Sequence, residues 1–225
     1  MARSARDTVY DTLRARLASG HYDPDASLIP AVLSEEFAVS RTPVREALGL
    51  LERDGLLVAT TRGFVIRRRS DEEILEIFEV RAVLDSAAAF AAAGRHSPID
   101  LARLDELSTQ ARRADDAATV RRLLNEWHDG IRRAAHNDTI SALLRTLDAQ
   151  VKLSAPWRTP ATPSDADPAF ADSLREHDAV LEAVRAGDAE LARHRMLEHL
   201  AHDRDTRIRQ LVAPMAQESA PADGG

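Results

Sequence analysis

The 225-residue sequence contains no cysteine, a single lysine (Lys152) and only 4% aromatic residues. Without cysteine there can be no disulfides, no thiolate metal ligands and no cysteine nucleophile. Few aromatics, with alanine, leucine, valine and arginine in plenty, favour helices packed through small side chains over a β-sandwich. No apolar run approaches the roughly 18 residues of a membrane span, and no signal peptide precedes the first helical pattern. A cytoplasmic protein with no membrane partner is therefore expected. The length allows two modest domains, each with its own core.

The formal net charge is −7, unevenly spread. Residues 1–70 hold eleven arginines against nine acidic residues, whereas the remainder holds nineteen basic against twenty-eight acidic residues. A near-neutral to basic head on an acidic body suits a chain that meets phosphates with one end only.

The head, from Asp7 to Arg69, reads helix, turn, helix, turn, helix, hairpin. Val9, Leu13 and Leu17 form the apolar stripe of the opening helix, which stops at Ser19-Gly20. Pro30 to Phe37 makes a short helix with Val32, Leu33 and Phe37 apolar. A third helix starts near Ser40-Arg41-Thr42-Pro43, because a hydroxyl residue beside a first-turn proline is a start signal. Asp54-Gly55 ends it, and Leu56–Ala59 and Phe64–Arg67 flank Thr60-Thr61-Arg62-Gly63 as a small hairpin with a basic tip. Ser70 and Glu73 form a capping box that announces a new helix. Helices are then expected near 71–93, 98–114, 117–136, 138–152, 168–186 and 188–212, with a proline-rich loop from Ser154 to Pro168. The predicted fold is mainly α: an N-terminal winged helix-turn-helix with a small β-hairpin over 1–69, a C-terminal all-α helical bundle over 70–213, and a disordered tail over 214–225.

In the third helix Arg41 and Arg45 are four residues apart and share a face, with Val44, Leu48 and Leu51 opposite. Such a helix suits a DNA major groove, where arginine reaches guanine O6 and N7 and the helix N-terminus faces phosphate. The Ser40 and Thr42 hydroxyls can add backbone contacts. Two surface arginines on a solvated helix are the plainer reading of that segment taken alone. The preceding helix, the tight turn and the basic hairpin favour the DNA-reading one.

The run from Tyr10 to Arg69 resembles the winged-helix domain of the GntR family of bacterial transcription regulators. The resemblance rests on Val39-Ser40-Arg41-Thr42-Pro43-Val44-Arg45-Glu46-Ala47-Leu48, then Leu51-Glu52-Arg53-Asp54-Gly55-Leu56, and Arg62-Gly63 in the wing. It implies that Ser40, Arg41, Thr42, Arg45, Arg62 and Gly63 meet double-stranded DNA, with a homodimer reading a palindromic operator. Ala31, where this branch often has an arginine, and Asp25, in place of a turn glycine, depart from the pattern.

From Ser70 onward the pattern resembles the ligand-sensing FCD domain of the FadR-like branch. The residues that carry it are Val80 to Leu84, Trp127-His128 followed by Asn137, Glu176-His177 leading to Ala186-Gly187-Asp188, and Glu198-His199-Leu200. His177 lies ten residues before Gly187 and His199 twelve after it. Across an antiparallel helix pair both stand about 15–18 Å from the turn, level with each other. Joined by His128 they could form an all-nitrogen site for a divalent metal such as Zn²⁺ or Ni²⁺. Relatives add an aspartate four residues before the first histidine. Here that position is Leu124, and Asn125 points about 100° away around the helix. A metal-free polar pocket for an organic anion is the alternative. His194 and His202 are expected to face solvent, His202 as a reserve ligand.

Arg81, in an apolar stretch, needs an anionic partner: either a structural one, for instance Asp85, or the carboxylate of a small organic-acid effector. Trp127 either lines the pocket or packs in the core. The expected function is a ligand-responsive, sequence-specific transcription regulator of repressor type, not an enzyme. The rival readings are a regulator with a vestigial, metal-free pocket that acts through protein interactions, favoured by Leu124, and a metal-dependent hydrolase. The hydrolase lacks a base aimed at the metal.

Overall fold

A computed structural model describes residues 4–154 and 168–212. Among the described residues the head comprises α1 (Ala5–Ala18), β1 (Ser27–Leu28), α2 (Pro30–Glu36), α3 (Arg41–Arg53), β2 (Leu57–Thr60) and β3 (Gly63–Ile66). The body comprises α4 (Asp71–Arg95), α5 (Pro98–Arg113), α6 (Ala117–Ala134), α7 (Asp138–Ser154), α8 (Pro168–Arg185) and α9 (Ala189–Val212). The proline-rich stretch between α7 and α8, and the tail expected over 214–225, lie outside the described residues.

The head's core follows from its helical stripes. Val9, Leu13 and Leu17 of α1 meet Leu33 of α2 and Val44, Leu48 and Leu51 of α3. Each such side chain contributes about 1.5–3 kcal/mol on burial. Val32, counted among the apolar face of α2, is 58% exposed instead. Seven residues make two turns, so only Leu33 and its neighbour Ser34 reach the interior. The hairpin pairs Val58 with Val65 and Ala59 with Phe64. A strand absent from the sequence reading joins it: β1 pairs Ser27 with Val65 and Leu28 with Phe64, giving the order β1-β3-β2. Two residues are too few to show an alternating pattern.

The Ser70 capping box forms, with the Ser70 hydroxyl accepting from the Glu73 amide and the Glu73 carboxylate accepting from the Ser70 amide. Ala88, Ala89, Ala92 and Ala93 on α4 let α9 approach closely, and Trp127, Ile131, Val180, Val184, Met196 and Leu200 complete that core. α7 bridges the two parts: its Ala149 and Leu153 are buried in the head's core. No helix among the described residues is long and apolar enough to cross a membrane.

Candidate functional site

Ser40 has the extended conformation of a residue that precedes a helix, yet its hydroxyl makes no capping bond to α3. Arg41, Thr42 and Arg45 are exposed, on the side of α3 away from buried Val44, Leu48 and Leu51. Arg62 is exposed at the tip of the β2–β3 turn. Gly63 has a conformational reason to be glycine: at φ 151°, an added Cβ would lie 2.6 Å from the Leu28 carbonyl oxygen. It lets β1 lie against the wing.

The three histidines converge from three helices. His128 Nε2 stands 3.2 Å from His177 Nε2 and 3.2 Å from His199 Nε2. The His177 and His199 rings are 4.3 Å apart, as the shared level across the α8–α9 turn requires. Their outer nitrogens fix their tautomers. His177 Nδ1 lies 2.7 Å from the Ser173 carbonyl oxygen, which can only accept, so Nδ1 carries the proton. His199 Nδ1 likewise donates to Glu176 Oε2 at 2.8 Å. Two Nε2 lone pairs therefore face His128, whose single ring proton cannot satisfy both sides while its buried Nδ1 has no hydrogen-bond partner. A divalent cation would satisfy all three nitrogens. The edge of a tetrahedral zinc site with Zn–N of about 2.0–2.1 Å is about 3.3 Å, close to the two separations found.

Burial, reinforced by the charge of its neighbours His177 and His199 and of Arg132 and Arg81, pushes His128 well below the ordinary histidine value. Burial and His199 pull His177 down to about 3. Neutral imidazoles are the form that binds a metal. Glu176 is held below the usual carboxylate value: burial would raise it, but the hydrogen bonds from His199 and His202 more than reverse this. Glu176 approaches His199 from the side opposite the triad's centre. His202, expected as a reserve ligand, is exposed and donates to Glu176 instead of facing the triad. His194 is exposed and pairs with Glu198. Leu124 is buried in a small apolar cluster with Val120 and Leu123, against which Leu174 packs, and no carboxylate joins the triad's ligand atoms among the described residues.

Trp127 is fully buried in the body's core, and its ring stands edge-on to His177, with centroids 4.7 Å apart. Arg81 does not pair with Asp85. Asp85 is instead engaged by Arg132, whose Nε and Nη2 donate to its two oxygens at 2.7 and 3.0 Å. Sequence spacing favoured the neighbour one turn along α4, but Asp85 turns into the body towards α6. Arg132 also donates to Asp148 on α7. Burial alone would weaken the charge of Arg132, and Asp85 and Asp148 hold it firmly ionised. Arg81 Nε lies 3.0 Å from Asp148 Oδ1, off the line of a hydrogen bond, so this buried donor is unsatisfied. Arg132, one helical turn from His128 on the same face, was within reach of sequence reasoning. Asp148 was not, since only tertiary packing sets its partners, and Glu176, noted beside His177 in the sequence, takes its partners His199 and His202 from packing too.

Two family profiles match the chain: "Bacterial regulatory proteins, gntR family" over residues 5–66, and "FCD domain" over residues 76–202. The chain is 27% identical over 199 residues to the uncharacterized HTH-type transcriptional regulator YdhC of Bacillus subtilis, covering 86% of this chain and 87% of that protein. It is 36% identical over 97 residues to the gluconate operon transcriptional repressor of Bacillus licheniformis, covering 43% of this chain and 37% of the repressor. The solved structure of Escherichia coli McbR/YncC superposes with a TM-score of 0.76 at 24% identity, over 93% of this chain and all (100%) of that one. The last likeness concerns the fold alone.

Proposed function

Because the chain belongs to the gntR family of bacterial regulatory proteins, with an FCD domain as its C-terminal part, we propose that it is a homodimeric repressor whose helical part senses a small carboxylate. The DNA-binding domain spans residues 1–69 and the sensing and dimerising domain 70–213. The observation that carries the reading is the outer face of α3, where Arg41, Thr42 and Arg45 stand exposed over a fully buried apolar back. Two copies related by a two-fold axis present two such helices to a palindromic operator. Arg45 and Arg41 reach base edges, Ser40 and Thr42 reach phosphates, and Arg62 at the wing tip enters the neighbouring groove, with Gly63 keeping the wing close to the duplex.

In the body, the effector's carboxylate is taken between Arg81 and the histidine triad, with Trp127 holding His177 and His128 in place. His128, His177 and His199 would hold a divalent ion such as Zn²⁺ or Ni²⁺, which supplies a Lewis-acid centre for a carboxylate oxygen. A gluconate operon repressor among the relatives fits an acidic effector. The protein binds its effector and does not transform it: Glu176 spends its carboxylate on His199 and His202, facing away from the nitrogens that converge.

Arg45→Ala tests the DNA-reading part. Affinity for the gene's own upstream region should fall about tenfold or more at fixed salt in a mobility-shift assay, given about 1–3 kcal/mol for a good arginine–guanine pair. Unchanged affinity would remove Arg45 from the interface.

A further inference from the structure

Consecutive residues of α7 serve two different cores. Asp148 turns towards α4 and α6, with one oxygen 3.0 Å from Arg81 Nε and the other accepting from Arg132. Ala149, next in the chain, and Leu153 are buried with Leu13, Leu17 and Leu51 in the head. Between them, Gln150 Nε2 donates to the Asp54 carbonyl oxygen at 2.7 Å. Asp54 closes α3, the helix with the exposed arginines. Earlier on α7, the Arg145 carbonyl accepts from Arg14 of α1 at 2.7 Å. Gly55, which follows Asp54, leaves no spare room here: an added Cβ would lie 2.9 Å from Arg69 Nη2 and 3.1 Å from Gln150 Nε2. A shift of α7 therefore reaches the base of α3 through packed contacts.

The two arginines that share Asp148 are unequally served. Arg132 already has both oxygens of Asp85, in a pair that is almost wholly buried. Arg81 has Asp148 at 3.0 Å in poor alignment, and its buried Nε makes no hydrogen bond. Through the two oxygens of Asp148, Arg81 stands beside Arg132, which lies one helical turn from His128 on α6. Arg81 is thus held to Asp148 by charge and over the Phe78 ring, with no hydrogen bond from its Nε, and an anion that reaches it competes with Asp148.

We infer that Asp148 is a built-in stand-in for the effector's carboxylate: it occupies the anion position of Arg81, and an incoming carboxylate displaces it and releases α7 against the DNA-binding domain. The exchange trades one carboxylate on Arg81 for another and frees α7 only from its tie to α4, while Asp148 stays on Arg132, so α7 shifts against the head without detaching from the body. The inference rests on the reading of the body as a carboxylate sensor and adds the means by which binding is transmitted.

The test uses the full-length protein with Zn²⁺ present and acetate, succinate and gluconate as probes. Carboxylate affinity is read by calorimetry and operator affinity by fluorescence anisotropy at fixed salt. For Asp148→Asn the expected result is carboxylate binding about tenfold tighter, because the internal competitor has lost its charge. The change in operator affinity on adding carboxylate should shrink towards none. A residue that only braces the fold would lose both together, so weaker carboxylate binding overturns the inference, as does an undiminished response. Gln150→Ala provides a second measurement should Asp148→Asn not fold. It should bind carboxylate like the wild type and respond less on DNA, and a full response overturns the inference. If the wild type binds none of the three probes, the sensor reading falls with it. If the wild type binds and responds but the variants behave identically to it, only this inference falls.

Discussion

Glu176 shows how one carboxylate can set the chemistry of a site it does not enter. By accepting from His199 Nδ1 at 2.8 Å it leaves the Nε2 lone pair directed at His128 and raises the basicity of that nitrogen. His177 takes the same tautomer from the Ser173 carbonyl, a weaker and neutral partner. His199 should therefore depend on Glu176 more than any other ring depends on its support. In Glu176→Gln the amide oxygen still accepts, but the negative charge is gone. Zn²⁺ affinity, measured by competition with a chromogenic chelator, should fall about tenfold, and further in Glu176→Ala. His202→Ala should change it little, since His202 reaches only the outer oxygen of Glu176. An unaltered affinity in Glu176→Ala would mean that the helices alone orient His199. Leu124 bears on the same site from the other side. It stands one turn before His128 but belongs to an apolar cluster, so among the described residues the triad offers a metal three imidazole nitrogens and no carboxylate. An anionic effector is the natural complement of such a centre.

At the scale of elements, the wing depends on an approach that only glycine permits. Gly63→Ala would push a methyl group to 2.6 Å from the Leu28 carbonyl oxygen, which is backbone and cannot swing aside. The expected cost is about 1–3 kcal/mol, read as a lowered Tm, with β1 detached and operator affinity reduced. A Tm equal to the wild type's would mean that β1 does not hold the wing. The same element marks a limit of sequence reading. Helices with a full apolar stripe or a paired cap, such as α3 and α4, were legible because their signals are local and repeat along the chain. β1 was not, because two residues carry no period. α7 was expected as a helix near 138–152, but a helical pattern does not say which core its apolar face will join. Ala149 and Leu153 joined the head. The level of His177 with His199 was legible through antiparallel register, a matter of counting from Gly187, whereas His128 on α6 entered only through the resemblance. The partners of Arg81 and Asp85 were not, since a charge on a helix can turn to any of several neighbours and the choice is made by packing.

For the molecule as a whole, the buried histidines make stability depend on pH in a definite direction. In the unfolded chain a histidine takes up a proton as pH falls through its ordinary value of 6.5, whereas His177 in the folded protein resists until about 3. Between these values the unfolded state binds more protons, so stability rises with pH and is lost as pH falls. His128, also held well below its ordinary value, acts with the same sign. Asp148 and Glu176, both held below their ordinary values, add their loss only at lower pH, where unfolded carboxylates begin to protonate. The window from about 6.5 down to about 4.5 therefore reports mainly on the histidines. Chelator-treated protein should show a Tm that is level above pH about 7 and declines through that window. In His177→Asn the decline should be shallower, because one of the groups that the unfolded chain protonates has been removed. Added Zn²⁺ should raise Tm near neutrality and steepen the decline, since protonated imidazoles release the ion. A Tm of the chelator-treated protein that stays constant through the window would show that the triad is protonated as easily folded as unfolded, and would count against a centre of neutral, converging imidazoles.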